Sequence, residues 1–160
     1  MAWTTPRDWT DGELVTEALL DTHVRDNFKA MTEWATYTPT WTATGGTPTV
    51  GDGTLTGKYI VAGDLCHFWF RLRLASGSSI GTTTSWAWSL PATAAGYSSA
   101  VATIVDEGNA YFAGFAPISP AATAIDIALD GTADRVGYLQ PMTWSTANGD
   151  SLFVSGTYEC

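Results

Sequence analysis

Residues 65–75 read LCHFWFRLRLA, and the alternation within them decides the fold. Cys66, Phe68, Phe70, Leu72 and Leu74 share one side at a period of two, while His67, Trp69, Arg71 and Arg73 share the other. Successive side chains of a strand point to opposite faces, so this pattern predicts a strand with one face in a core and one turned outward. On either side of it the same period returns. Residues 54–61 alternate with Leu55, Tyr59 and Val61 together, and Ala62-Gly63-Asp64 turns the chain into 65–75. Residues 82–90 place Trp86 and Trp88 on a common face and are stopped by Pro91. Residues 98–105 and 110–115 flank Asp106-Glu107-Gly108-Asn109, a hairpin signal.

Further strands are expected at 37–43, at 122–129 with Ile125, Ile127 and Leu129 buried, and at 151–158 after Asn148-Gly149-Asp150. A weaker one at 134–143 is interrupted by Pro141. Turn signals at Gly45-Gly46, Gly51-Asp52-Gly53, 77–81 and Asp130-Gly131 separate them. About nine strands with no helical pattern among them predict an antiparallel β-sandwich, jelly-roll-like, over residues 37–160.

Ahead of this body, residues 16–34 change period to 3.6. Leu20, Val24, Asn27, Phe28, Met31 and Trp34 fall on one stripe, and Asp21, Thr22, Arg25, Lys29, Thr32 and Glu33 lie opposite. Thr16 is placed to cap the helix, Glu17 suits its positive end, and Asp21 precedes Arg25 at the ion-pairing spacing. The stripe must be covered by its own domain, by other copies, or by a larger assembly. Asn27 within it points to association, because a polar residue at a helix seam can fix register and copy number. Trp3, Pro6 and Trp9 lie in a non-periodic leader, where the two tryptophans are expected to pack on the helix or on a neighbouring subunit. The chain thus divides into an attachment or oligomerisation segment, 1–36, and a β-domain, 37–160.

Composition narrows the class. At 160 residues the chain is long enough for one domain with a core plus an appendage. Charged residues are only 14 % of the total, and seven of the sixteen acids lie in residues 1–35 with just three basic side chains. The Thr-, Ser-, Gly- and Ala-rich body with interleaved aromatics has a composition common in rigid extracellular β-structures. A net charge of −9 argues against nucleic acid as a partner. No apolar run reaches the ~20 residues of a membrane span, and MAWTTPRDW lacks a signal-peptide layout, so neither membrane insertion nor Sec-type export is expected. Cys66 and Cys160 are too few for a disulfide framework or a metal site and are read as free thiols.

Little points to chemistry. His23 and His67 have no ligand-type residue at metal spacing, and a hydrolase nucleophile elbow and a phosphate-binding Gly-Lys loop are both absent. Paired carboxylates are a matter of spatial separation, yet Asp52, Asp64, Asp106, Glu107, Asp130 and Asp150 all fall in predicted turns. No enzyme, cofactor or metal is expected. A better candidate surface is the outward face of 65–75, where Trp69 lies between His67 and Arg71 with Arg73 following. Two readings stand for it: a platform for stacking sugars, or a Trp–Arg stack between sheets or subunits. Trp86 and Trp88 read as core or subunit interface.

The leader and helix also carry a family likeness. The run WTTPRDWTDGELVTEALLDTHVRDNFKAM resembles the N-terminus of small structural proteins of tailed bacteriophages, particularly those of actinobacteria. Trp3, Pro6, Trp9, Gly12, Glu13, Val15, Thr16, Leu19, Leu20, Val24, Arg25, Asp26 and Asn27 match its pattern, and Asp21 stands where the family usually has Asn. The likeness covers about 30 residues; in the body, TYTPTWTATGG, GDGTLTGKY and the closing GTYE look more loosely like the β-domains of phage fibres and spikes. The resemblance implies a virion component, made in the host cytoplasm. Its N-terminal segment would attach to tail or capsid and its β-domain would project as a homotrimer. A fibre, spike or minor tail protein with a host-glycan adhesin role is the first reading, and a capsid decoration or head-fibre protein the second. A free carbohydrate-binding module or glycan depolymerase is the alternative from another class.

Overall fold

The computed structural model describes residues 4–44, 46–81, 85–129, 135–137, 141–147 and 149–160. A helical segment comes first: α1 (Glu17–Leu20), a wide π turn (Asp21–Arg25) and α2 (Asp26–Thr32). Among the described residues ten strands follow: β1 (Ala35–Tyr37), β2 (Trp41–Ala43), β3 (Thr54–Ala62), β4 (Leu65–Arg73), β5 (Trp86–Ser89), β6 (Ser98–Asp106), β7 (Ala110–Ile118), β8 (Ala124–Asp126), β9 (Ala128–Leu129) and β10 (Ser151–Glu159). They form two antiparallel sheets, β1-β3-β4-β10-β6-β7-β9 and β2-β5-β8, packed as a sandwich.

The large sheet grows from two hairpins. Gly63, at φ +63, makes the tight turn between β3 and β4 that a side chain with a Cβ adopts at a cost. Gly108, at φ +85, does the same between β6 and β7, where the Asn109 amide also bonds Asp106. The last strand, β10, then inserts between the hairpins and pairs with β4 on one side and β6 on the other. Its Gly156 gives the close approach this needs, since a Cβ there would lie 2.7 Å from Ala100 Cβ and 3.2 Å from the Phe68 ring.

Cys66, Phe68, Phe70, Leu72 and Leu74 all point into the core as the alternation predicts, joined by Leu152, Val154 and Tyr158 from β10. The small sheet closes that core with aromatics. Trp86 meets Trp41 and Trp144 with ring centroids 5.0 Å apart in each case, and Trp88 tilts onto Phe70 across the sheets at 5.9 Å. Trp86 Nε1 donates to the Ile80 carbonyl at 3.2 Å. Both tryptophans of 82–90 are therefore core residues of the protomer.

Two predicted strands are each split between the sheets. Residues 37–43 divide at Pro39, which has no N–H to give a ladder, so the chain leaves the large sheet after Tyr37 and joins the small one at Trp41. Residues 122–129 divide at buried Ile127 in the same way. Only Arg135–Gly137 and 141–143 of the predicted strand 134–143 lie among the described residues, and there Arg135 makes a single bridge to Ala128. The turn at Asp130-Gly131 lies outside them.

Candidate functional site

Thr16 caps the helical segment as its position predicts, its Oγ1 accepting the Leu19 N–H at 3.4 Å. Asp21 pairs with Arg25 at 2.6 Å, and Arg25 also reaches Asp26 at 2.8 Å. The hydrogen bond to Asp26, with Asp21 alongside, holds the exposed Arg25 guanidinium above its ordinary pKa. The π turn accommodates an extra residue and shifts the phase of α2 relative to a straight helix.

That shift determines which face the segment buries. Ala30 and Asn27 turn inward, Ala30 toward β3 and Asn27 toward the leader. The rest of the stripe is largely open to solvent, with Leu20 47 %, Val24 55 %, Phe28 67 %, Met31 49 % and Trp34 41 % exposed, and Trp34 alone touches the large sheet. These are five of the six side chains the helical period groups together. Asn27 is the exception: it is buried, and its hydrogen bonds run to Thr4 and His23 of its own chain, where the sequence alone suggested a seam between helices. Trp9 packs its ring edge-on against His23 at 6.4 Å, beneath the Arg7 guanidinium at 5.1 Å, so the leader is held on the helix. Trp3 lies outside the described residues.

The second surface is the outer face of the large sheet. Register brings Lys58, Trp69, Ser155, Val101 and Phe115 into one row across β3, β4, β10, β6 and β7. The next row is Thr56, Arg71, Phe153, Thr103 and Ala113. Trp69, Val101, Thr103, Phe153 and Ser155 line a shallow depression of about 230 Å³. Arg71 lies over the Phe153 ring at 4.8 Å, so its aromatic partner is this residue from β10 and not Trp69. His67 bonds Thr157 Oγ1 through Nδ1 at 2.7 Å and receives the edge of Trp34 at 5.3 Å. Arg73, exposed at the end of β4, closes over Gly149.

His67, Trp69, Arg71 and Arg73 thus share a face, and the structure adds Lys58, Val101, Phe115 and Phe153 to it. Sequence reasoning passed over the last three because the strands carrying them have apolar residues on both faces: Val101 and Val105 interleave with Ala100, Ala102 and Ile104. Pairing Lys58 with Trp69 needs only the hairpin register, which Ala62-Gly63-Asp64 would have supplied.

Asp52 and Asp150 of the predicted turns, and Asp126 on β8, have local duties. Asp52 accepts the Ser76 hydroxyl at 3.1 Å, and Asp126 pairs with Arg135 at 2.9 Å. Asp150 is fully buried and accepts two backbone N–H groups. Among the described residues no group of three or more His, Cys, Asp or Glu could hold a metal ion, and no helix is long and apolar enough to cross a membrane. Cys66 is buried and Cys160 half-buried, both as free thiols. Burial pushes both thiols up, and each bears on the other.

No protein-family model matches the chain, and neither a curated protein nor a solved structure matches it.

Proposed function

We propose that this chain is a non-enzymatic structural protein of a tailed-bacteriophage particle, of the fibre, spike or minor tail kind, attached through residues 1–36. The observation that carries the reading is the helix stripe. Five large apolar side chains stand 41–67 % exposed on a segment whose other face is already closed by the leader and β3. A patch of that kind marks a protein–protein contact, and the leader and helix are the residues that resemble the attachment segments of phage structural proteins. The β-domain, with tryptophans packed edge-on and tilted in its core, is suited to a rigid projecting part.

In this reading the protein assembles as a homotrimer on tail or capsid, and its partners are its own copies and other virion proteins. A host-glycan adhesin role would fall to the face bearing Trp69 only where assembly leaves that face open. Sedimentation of the intact chain against one lacking residues 1–35 tests the attachment role, with loss of assembly expected in the truncated chain and equal monomeric masses defeating it. Gel densitometry of purified virions separates the sites: few copies for a tail component, dozens or more for a capsid decoration or head fibre.

A further inference from the structure

We propose that the outer face of the large sheet receives the exposed helix stripe of a second copy of this chain. The proposal rests on the stripe being an assembly surface and names the surface that covers it.

Charge selects the pairing. Of the seven acids in residues 1–35, Glu13, Asp21 and Asp26 are paired with Arg7 and Arg25, which leaves Asp8, Asp11, Glu17 and Glu33 against Lys29. The sheet face is the reverse: Lys58, Arg71 and Arg73 lie together on β3 and β4, none in an ion pair among the described residues. Helix against helix would set acids against acids, and sheet against sheet would set cations against cations. Helix against sheet joins opposite charges around two apolar centres, Phe28 with its neighbours on one side and Trp69, Val101 and Phe153 on the other.

Dimensions and connectivity agree. A helix with its side chains is about 10–12 Å wide, and three adjacent strands span about 10 Å, so β4, β10 and β6 match one helix. Only Glu33 and Trp34 separate α2 from β1, so Leu20, Val24, Phe28 and Met31 stay exposed while Trp34 alone reaches the protomer's own sheet. Trp34 already sits edge-on to His67, so stripe and sheet face form one continuous surface within a protomer. A surface with both halves can be used head to tail, each copy giving its helix to the next until a ring of three closes.

The test mixes two full-length proteins, both carrying Cys160→Ser, one with Phe28→Cys and the other with Val101→Cys. Under mild oxidation with copper-phenanthroline, a thiol-reducible dimer is expected in the mixture and not when Thr42→Cys, on the small sheet, replaces Val101→Cys. Lys58→Glu with Arg73→Glu should weaken self-association at low salt about tenfold, and Glu17→Lys in the partner should restore part of it. Dimers formed as readily by Phe28→Cys alone would overturn the contact in favour of helix bundling. An acidic glycan on an array that binds the intact chain and is lost with Trp69→Ala would overturn it in favour of carbohydrate. An intact chain that sediments as an assembly yet gives no mixed crosslink defeats this contact alone; a monomeric one defeats the assembly reading as well.

Discussion

Asn27 holds Thr4 by both of its backbone polar groups: the Thr4 N–H donates to Oδ1 at 2.9 Å, and Nδ2 donates to the Thr4 carbonyl at 2.7 Å. The same Nδ2 reaches the His23 carbonyl at 3.2 Å. A single amide side chain thereby replaces the strand neighbour the leader lacks. Asn27→Leu keeps the branched outline and removes every one of these bonds, leaving part-buried backbone groups without their partner at a cost of about 1–3 kcal/mol. The Thr4 amide should lose its protection from hydrogen exchange while the amides of β10 keep theirs. Unchanged protection at Thr4 would show that the clamp does not hold the leader.

This clamp also marks where the sequence stopped being legible. A helical wheel places Asn27 between Leu20, Val24 and Met31, and only the π turn moves it off that stripe. Turns of that width have no local sequence signature to read. The hairpins β3–β4 and β6–β7 were legible because glycine-containing turns join strands of clear period. The central place of β10 was not, since its partners lie dozens of residues earlier and nothing local specifies them. Of the outer face, β4 declared its half because its polar side chains alternate cleanly, while β6 and β7 hid theirs behind apolar residues on both sides.

Arg71 and Phe153 lie on neighbouring strands, the guanidinium 4.8 Å from the ring centroid. Phe153→Ala should destabilise the fold modestly, with about 0.5–1 kcal/mol attributable to the cation–π contact itself. A double-mutant cycle with Arg71→Met isolates that part. Additive effects of the two substitutions would mean the stack contributes nothing.

Asp150 joins two loops to the start of β10. Its Oδ1 accepts the Glu107 N–H at 3.1 Å and its Oδ2 the Ser145 N–H at 2.5 Å, in a site closed to solvent. Asn at this position keeps one acceptor and turns an NH₂ toward the other donor. Asp150→Asn should therefore cost about 1.5–3 kcal/mol, in line with hydrogen bonds to a charged group. In urea, the midpoint should fall with the slope unchanged, because the surface exposed on unfolding is the same. A midpoint within error of the parent protein would remove Asp150 from the list of residues that hold the sandwich.

Alkaline pH should loosen the fold. Burial pushes the Cys66 thiol up, and it raises the Tyr158 phenol further beside it; Tyr37, whose hydroxyl is buried without a hydrogen-bond partner, is raised by burial as well. The Tyr158 hydroxyl donates to the Ala92 carbonyl at 2.8 Å and accepts the Ala92 N–H at 3.1 Å, so the folded state holds its proton firmly. All three groups are neutral when protonated and are held protonated by the fold. Their contribution is complete below the unfolded values, about 8.5 for a thiol and about 10 for a phenol, and drains away as pH climbs past them. Unfolding free energy measured from pH 7 upward should thus fall increasingly steeply above pH ~9. Tyr158→Phe should flatten that fall while lowering stability at neutral pH through loss of the Ala92 bonds. At pH 8 a thiol reagent should label Cys160 on the native protein and reach Cys66 only as the protein unfolds, so rapid native labelling of Cys66 would place it outside the core.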